Sequence, residues 1–128
     1  MTKQIELIVL WVLIVLGFLT HTLADVMPAF WGESIVAMPG GVAPKGMIAF
    51  MLILTYTLPA LAILALVYGK CKAYRIANAV LACIFGVFCI LHMGEWVDAF
   101  NPVQLAVMPL MAVIGVVLAV QSIRFVKE

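Results

Sequence analysis

The sequence predicts an all-α fold: a four-helix transmembrane bundle, N-in/C-in, forming a single integral membrane domain over residues 1–128. Three observations carry that prediction. The chain is 67% hydrophobic and 10% charged, whereas soluble domains average about 45–50% apolar and about 25% charged. Its mean hydropathy is +1.27, and a chain this short cannot hide that much apolar surface in one core. The lipid bilayer is the partner that takes the excess. Finally, four apolar runs each reach the roughly 20 residues that a bilayer crossing needs.

The first span covers residues 5–26 and ends near Pro28. Lys3, the apolar run and Thr22-Leu23-Ala24 before Asp25 mimic a cleaved signal peptide. The run Ile5–Leu19, however, sits at or beyond the usual limit of about 15 residues for such a segment, so a retained helix is expected. The second span covers 45–68 and stops at Gly69, the third covers 74–97, and the fourth covers 102–126. Pro102 suits the first turn of the fourth. Residues 27–44 are dense in Pro and Gly, which marks irregular backbone. Phe30, Trp31, Ile35, Val36 and Met38 make this loop apolar, so it should lie in the interface or fold over the helix ends.

Two prolines fall within spans. Pro59 and Pro109 should each kink their helix and free carbonyls near Thr55 and Leu105. Thr55, Tyr56 and Thr57 stand ready to satisfy such groups. Small residues form two stripes: Ala82, Gly86 and Cys89 on span three, and Ala112, Gly115, Ala119 and Ser122 on span four. Stripes of this kind let helix backbones approach closely in lipid, and a homo-oligomer is expected through them.

Charge sets the orientation. Lys3, Lys70, Lys72, Arg75, Arg124 and Lys127 fall on one side of a four-span chain, and of the seven basic residues only Lys45 falls on the other. The positive-inside rule makes the basic side cytoplasmic. The net charge is +1 with no basic face that could track phosphates, so nucleic acid is excluded as a partner. The three cysteines, Cys71, Cys83 and Cys89, form no CxxC pair and imply no disulfide framework.

The ionisable residues gather at the opposite, outer end. His21 and Asp25 are four apart and share a helix face, as do His92 and Glu95, which are three apart. Asp98 follows a turn later, and Glu33 lies in the loop on the same side. These are the only two histidines, and four of the six acids join them. Ionisable groups in spans are costly and usually face a bundle interior or a watery cavity. Imidazoles with carboxylates suit a divalent metal such as zinc. His21, Asp25, His92 and Glu95 are therefore the candidate metal ligands. Glu33, Asp98, Trp31, Trp96 and Tyr56 are candidates for the surrounding ligand pocket, which the loop 27–44 is expected to roof.

The simpler alternative pairs each His with its own acid in a partly wet layer near the headgroups. A proton relay would use imidazoles near neutrality, but no acid lies mid-membrane to continue it. Trp31 and Trp96 also suit an interfacial belt, and the eight Met residues suit packing filler. Arg75 and Asn78 are expected to bond neighbouring helices. Helices one and three each carry a His, an acid and then Ala-Phe, and helices two and four each carry a Pro. The unequal spacings make this only a faint sign of a duplicated helix pair.

Leu10-Trp11, Ala24-Asp25 with Met27-Pro28, Pro59 and Tyr74-Arg75-Ile76-Ala77-Asn78 resemble a family of small four-helix bacterial membrane proteins of unknown function. The chain is also similar to DoxX-like membrane proteins in size and span count. The resemblance implies a four-span bundle in a bacterial inner membrane, with Asp25, Arg75 and Asn78 as matching positions. It implies no activity and does not cover the histidines. The expected function is a non-enzymatic binding or accessory protein with an outward pocket for a divalent metal or small cationic ligand. Alternatives are a small proton-coupled transporter and a metal-assisted membrane enzyme. Small multidrug transporters carry a carboxylate well inside helix one, whereas the nearest match here, Glu6, sits at the cytoplasmic end.

Overall fold

The four apolar runs become four long helical segments: Lys3–Trp31, Lys45–Tyr68, Lys72–Val97 and Pro102–Lys127, each long and apolar enough to cross a membrane. The structure is a computed structural model that describes residues 1–36, 38–98 and 100–128; the Asp98 side chain and Ala99 lie outside the described residues. Among the described residues no strand occurs.

Helix α1 (Lys3–Val26) starts at Thr2, whose side chain accepts from the Ile5 N–H, and runs into a 3-10 turn at Met27–Trp31. The second span is α2 (Lys45–Leu52), a π turn (Ile53–Thr57) and α3 (Leu58–Tyr68). Pro59 explains the π turn. Its ring cannot sit over the carbonyl four residues back, at Thr55, and the helix widens there. The Leu58 N–H reaches back to the Ile53 carbonyl, and the Thr55 hydroxyl donates to the Met51 carbonyl at 2.8 Å. The expected distortion is therefore present, and Thr55 is the side chain that bonds within it.

Span three is α4 (Lys72–His92) followed by the short α5 (Glu95–Asp98). Span four opens with a 3-10 turn at Pro102–Ala106, capped by Asn101, and continues as α6 (Met108–Lys127). Pro109 therefore does not kink the middle of a helix. It sits in the first turn of α6, where its missing N–H costs nothing.

The segments pack in the ring order α1, α6, α4, α3, so α1 and α4 lie on a diagonal. Spans one and three therefore do not pack through Gly17 and the span-three small face. Gly17 instead admits Met111 of α6, whose Cγ would lie 2.7 Å from a Cβ at position 17. The two small-residue stripes meet each other: a Cβ on Gly86 would lie 3.0 Å from the Gly115 carbonyl oxygen. The faces expected to carry self-association are thus spent inside one chain.

Among the described residues, large side chains bridge the diagonal. Trp11 and Phe18 of α1 both pack edge-to-face with Phe85 of α4, with ring centroids 5.2 and 6.0 Å apart. The Trp11 indole donates to Asn78 Oδ1 at 2.8 Å, and Asn78 Nδ2 donates to Ser122 Oγ at 2.9 Å. At the basic end Arg75 donates to the Phe125 carbonyl and lies over its ring at 4.3 Å. Arg75 and Asn78 therefore bond neighbouring helices, as expected. The outer surface is apolar, with Leu13, Leu16, Ile84 and Val113 all exposed.

Candidate functional site

Both histidines ride the diagonal helices to the same level, and their imidazoles meet. His21 Nε2 and His92 Nε2 are 2.9 Å apart, with rings edge-on at 81°. One nitrogen of the pair must donate and the other accept. The structure says which one on α1. Gln104, from the 3-10 turn before α6, donates its amide nitrogen to Asp25 Oδ1 at 2.9 Å and to the His21 carbonyl at 3.2 Å. Both are obligate acceptors, so the orientation of this amide is fixed. Its oxygen then faces His21 Nδ1 at 2.9 Å and accepts from it. His21 therefore carries a proton on Nδ1, and its Nε2 faces His92.

His92 has a carboxylate on its other side, with Nδ1 3.4 Å from Glu95 Oε1. It also stacks on Phe88 at 5.5 Å. Asp25 Oδ2 lies 3.9 Å from His21 Nε2. One ligand atom each from His21, His92 and Glu95 fall within 4.8 Å of one another. The His side chains are sheltered and the two acids are about half exposed. Three of the four residues singled out as metal ligands are thus together, in one cluster rather than two isolated His–acid pairs, while Asp25 stands beside it, tied to Gln104.

The cluster opens into a cavity of about 410 Å³ lined by His21, Asp25, Glu95, Trp96, Asn101, Gln104 and Met108. Trp96 is in this wall, as expected. Its indole Nε1 is buried without a hydrogen-bond partner among the described residues. The other expected pocket residues are elsewhere. Trp31 and Glu33 are exposed in the loop after α1 and do not line the cavity. Tyr56 lies in a separate apolar groove with Phe18, Leu19 and Thr22. The Asp98 side chain lies outside the described residues. The turn Asn101–Ala106 walls the pocket, not the loop 27–44, because α6 packs against α1 and brings that turn over His21.

Gln104 is the residue that sequence reasoning missed. It is 2% exposed, and it ties span four to span one through three hydrogen bonds. A polar amide inside an apolar span was the available signal, since such groups must find partners in lipid.

Below the histidines the bundle interior is apolar. Ile14, Phe18, Phe85 and Leu118 are buried between them and the Trp11–Asn78–Ser122 hydrogen bonds. Comparison with protein-family models, with curated proteins and with solved structures finds no match.

Proposed function

We propose that the protein is a binding protein of the bacterial inner membrane, with cytoplasmic termini, whose outward pocket takes a divalent metal such as zinc. One observation carries this reading. Gln104 accepts the His21 Nδ1–H and so directs Nε2, the nitrogen left to bind a metal, into the cluster. Metal-binding imidazoles almost always donate their other N–H in this way, which fixes the ring and raises its basicity.

The donor set fits. Two imidazoles with a carboxylate is a borderline-soft N/O set that suits zinc. Tetrahedral Zn–N bonds of about 2.0–2.1 Å hold two nitrogens about 3.3 Å apart. The two Nε2 atoms at 2.9 Å need part only slightly to admit the ion. Glu95 supplies the oxygen, and the Trp96 N–H, unpaired among the described residues, offers a donor to a metal-bound water.

A transporter reading fits less well. Conduction needs a polar path, and the buried Ile14, Phe18, Phe85 and Leu118 interrupt it. A pocket open at one end suits capture or sensing.

The test is elemental analysis of the purified protein, followed by zinc titration of the metal-stripped form. One zinc per chain is expected. No bound metal and no zinc response would rule the reading out.

A further inference from the structure

The basic end of the bundle holds a second pocket, remote from the histidines. The turn after α3 and the start of α4 face the end of α6, and a cavity of about 220 Å³ lies between them. Its walls include Lys70, Lys72, Arg75 and Lys127, together with Tyr74 and Glu128. Among the described residues no carboxylate, Glu128 included, lies within 4.0 Å of any of these four cations. Arg75 lies with its guanidinium 4.3 Å from the Phe125 ring centroid and one nitrogen donating to the Phe125 carbonyl. The N-cap of α4, Cys71, makes no side-chain hydrogen bond, so the first N–H groups of that helix add positive potential at the same turn.

Converging cations repel one another, and an anion seated among them relieves the part of that repulsion that Glu128, in the same wall, does not offset. Location narrows the choice of anion. Lys72 begins one apolar span and Lys127 ends another, so the pocket lies where the bilayer's headgroups begin. Basic pockets between helices on this side of a membrane suit phospholipid head groups. Arg124 offers the comparison: it sits at the same end but does not line the cavity.

We propose that Lys70, Lys72, Arg75 and Lys127 form a binding site for a phosphate group, that of an anionic phospholipid headgroup or the free ion. The site is independent of the metal reading. The experiment uses the full chain in uncharged maltoside micelles, titrated with phosphatidylglycerol, phosphatidylcholine or sodium phosphate and read by native mass spectrometry and thermal stability. Saturable retention of phosphatidylglycerol over phosphatidylcholine is expected, weakened about fivefold for each of Lys70→Gln, Lys72→Gln and Lys127→Gln, and unchanged by Arg124→Gln. Stabilisation by phosphate alone assigns the free ion; a response to phosphatidylglycerol without one to phosphate assigns the headgroup. Equal retention of the two lipids without a phosphate response, or a loss in Arg124→Gln as large as in the lysine variants, overturns the proposal. The lysines are exposed, so their replacement leaves folding intact.

Discussion

Gly115→Leu should break the tightest seam in the bundle. A Cβ at position 115 would lie 3.2 Å from Gly86 Cα and 3.3 Å from Cys89 Cβ. Carbon atoms rest at about 3.5–4.0 Å, and a gap of about 0.5–1 Å forfeits a quarter to a half of each dispersion contact. Even Ala would force α4 and α6 apart by a few tenths of an ångström, a cost partly offset by its better helix propensity of about 1 kcal/mol. Leu brings three more carbons with no cavity to receive them. Overpacking costs about 1–3 kcal/mol, and Leu should reach the upper end, because the stripes Ala82–Gly86–Cys89 and Gly115–Ala119 separate along their length. The assay is thermal unfolding in detergent, with Val116→Leu as control. Val116 is 44% exposed and should change stability by no more than about 0.5 kcal/mol. A Gly115→Leu variant as stable as its parent would mean that the seam does not form.

Two further predictions concern the pocket and the topology. Gln104→Ala should lower zinc affinity about 10–100-fold, as losing an orienting partner commonly does, while the protein still folds; titration calorimetry on the metal-stripped variant checks this, and unchanged affinity would show that His21 needs no such partner. Cysteine placed at Ser34 should react with a membrane-impermeant maleimide on intact cells, and cysteine at Ala73 should not; labelling at position 73 would invert the orientation that the basic residues imply.

The spans were legible because their signal is one-dimensional. Apolar length alone placed Lys45–Tyr68 at its observed limits, and the other three within a few residues. The pairing of helices was not legible. The small stripes on spans three and four were visible, but nothing along the chain said that they face each other rather than a second copy. Pro109 read as a kink because the apolar run continues through it. The first turn of that run is 3-10, and α6 begins anew at Met108. Periodicity placed His21 with Asp25 and His92 with Glu95, since these are local relations. That the two imidazoles touch across a diagonal depends on bundle geometry, as does the reach of Gln104 to His21 and Asp25. The ring order puts spans one and three on one diagonal and spans two and four on the other. A duplicated helix pair would pack in that order, although span two, with its π turn, and span four, with its 3-10 start, differ in detail.

The central claim is that His21 and His92 belong to one metal-binding unit. A double-mutant cycle on His21→Ala and His92→Ala, read as thermal stability with and without zinc, tests it most directly. Zinc at about 100 times its dissociation constant should stabilise the parent by about 2.7 kcal/mol. Either single substitution should abolish that gain, and the double variant should cost little more than one alone, because residues sharing a site are not additive. Additive losses with no zinc response in the parent would contradict the account and leave two structural histidines that happen to touch.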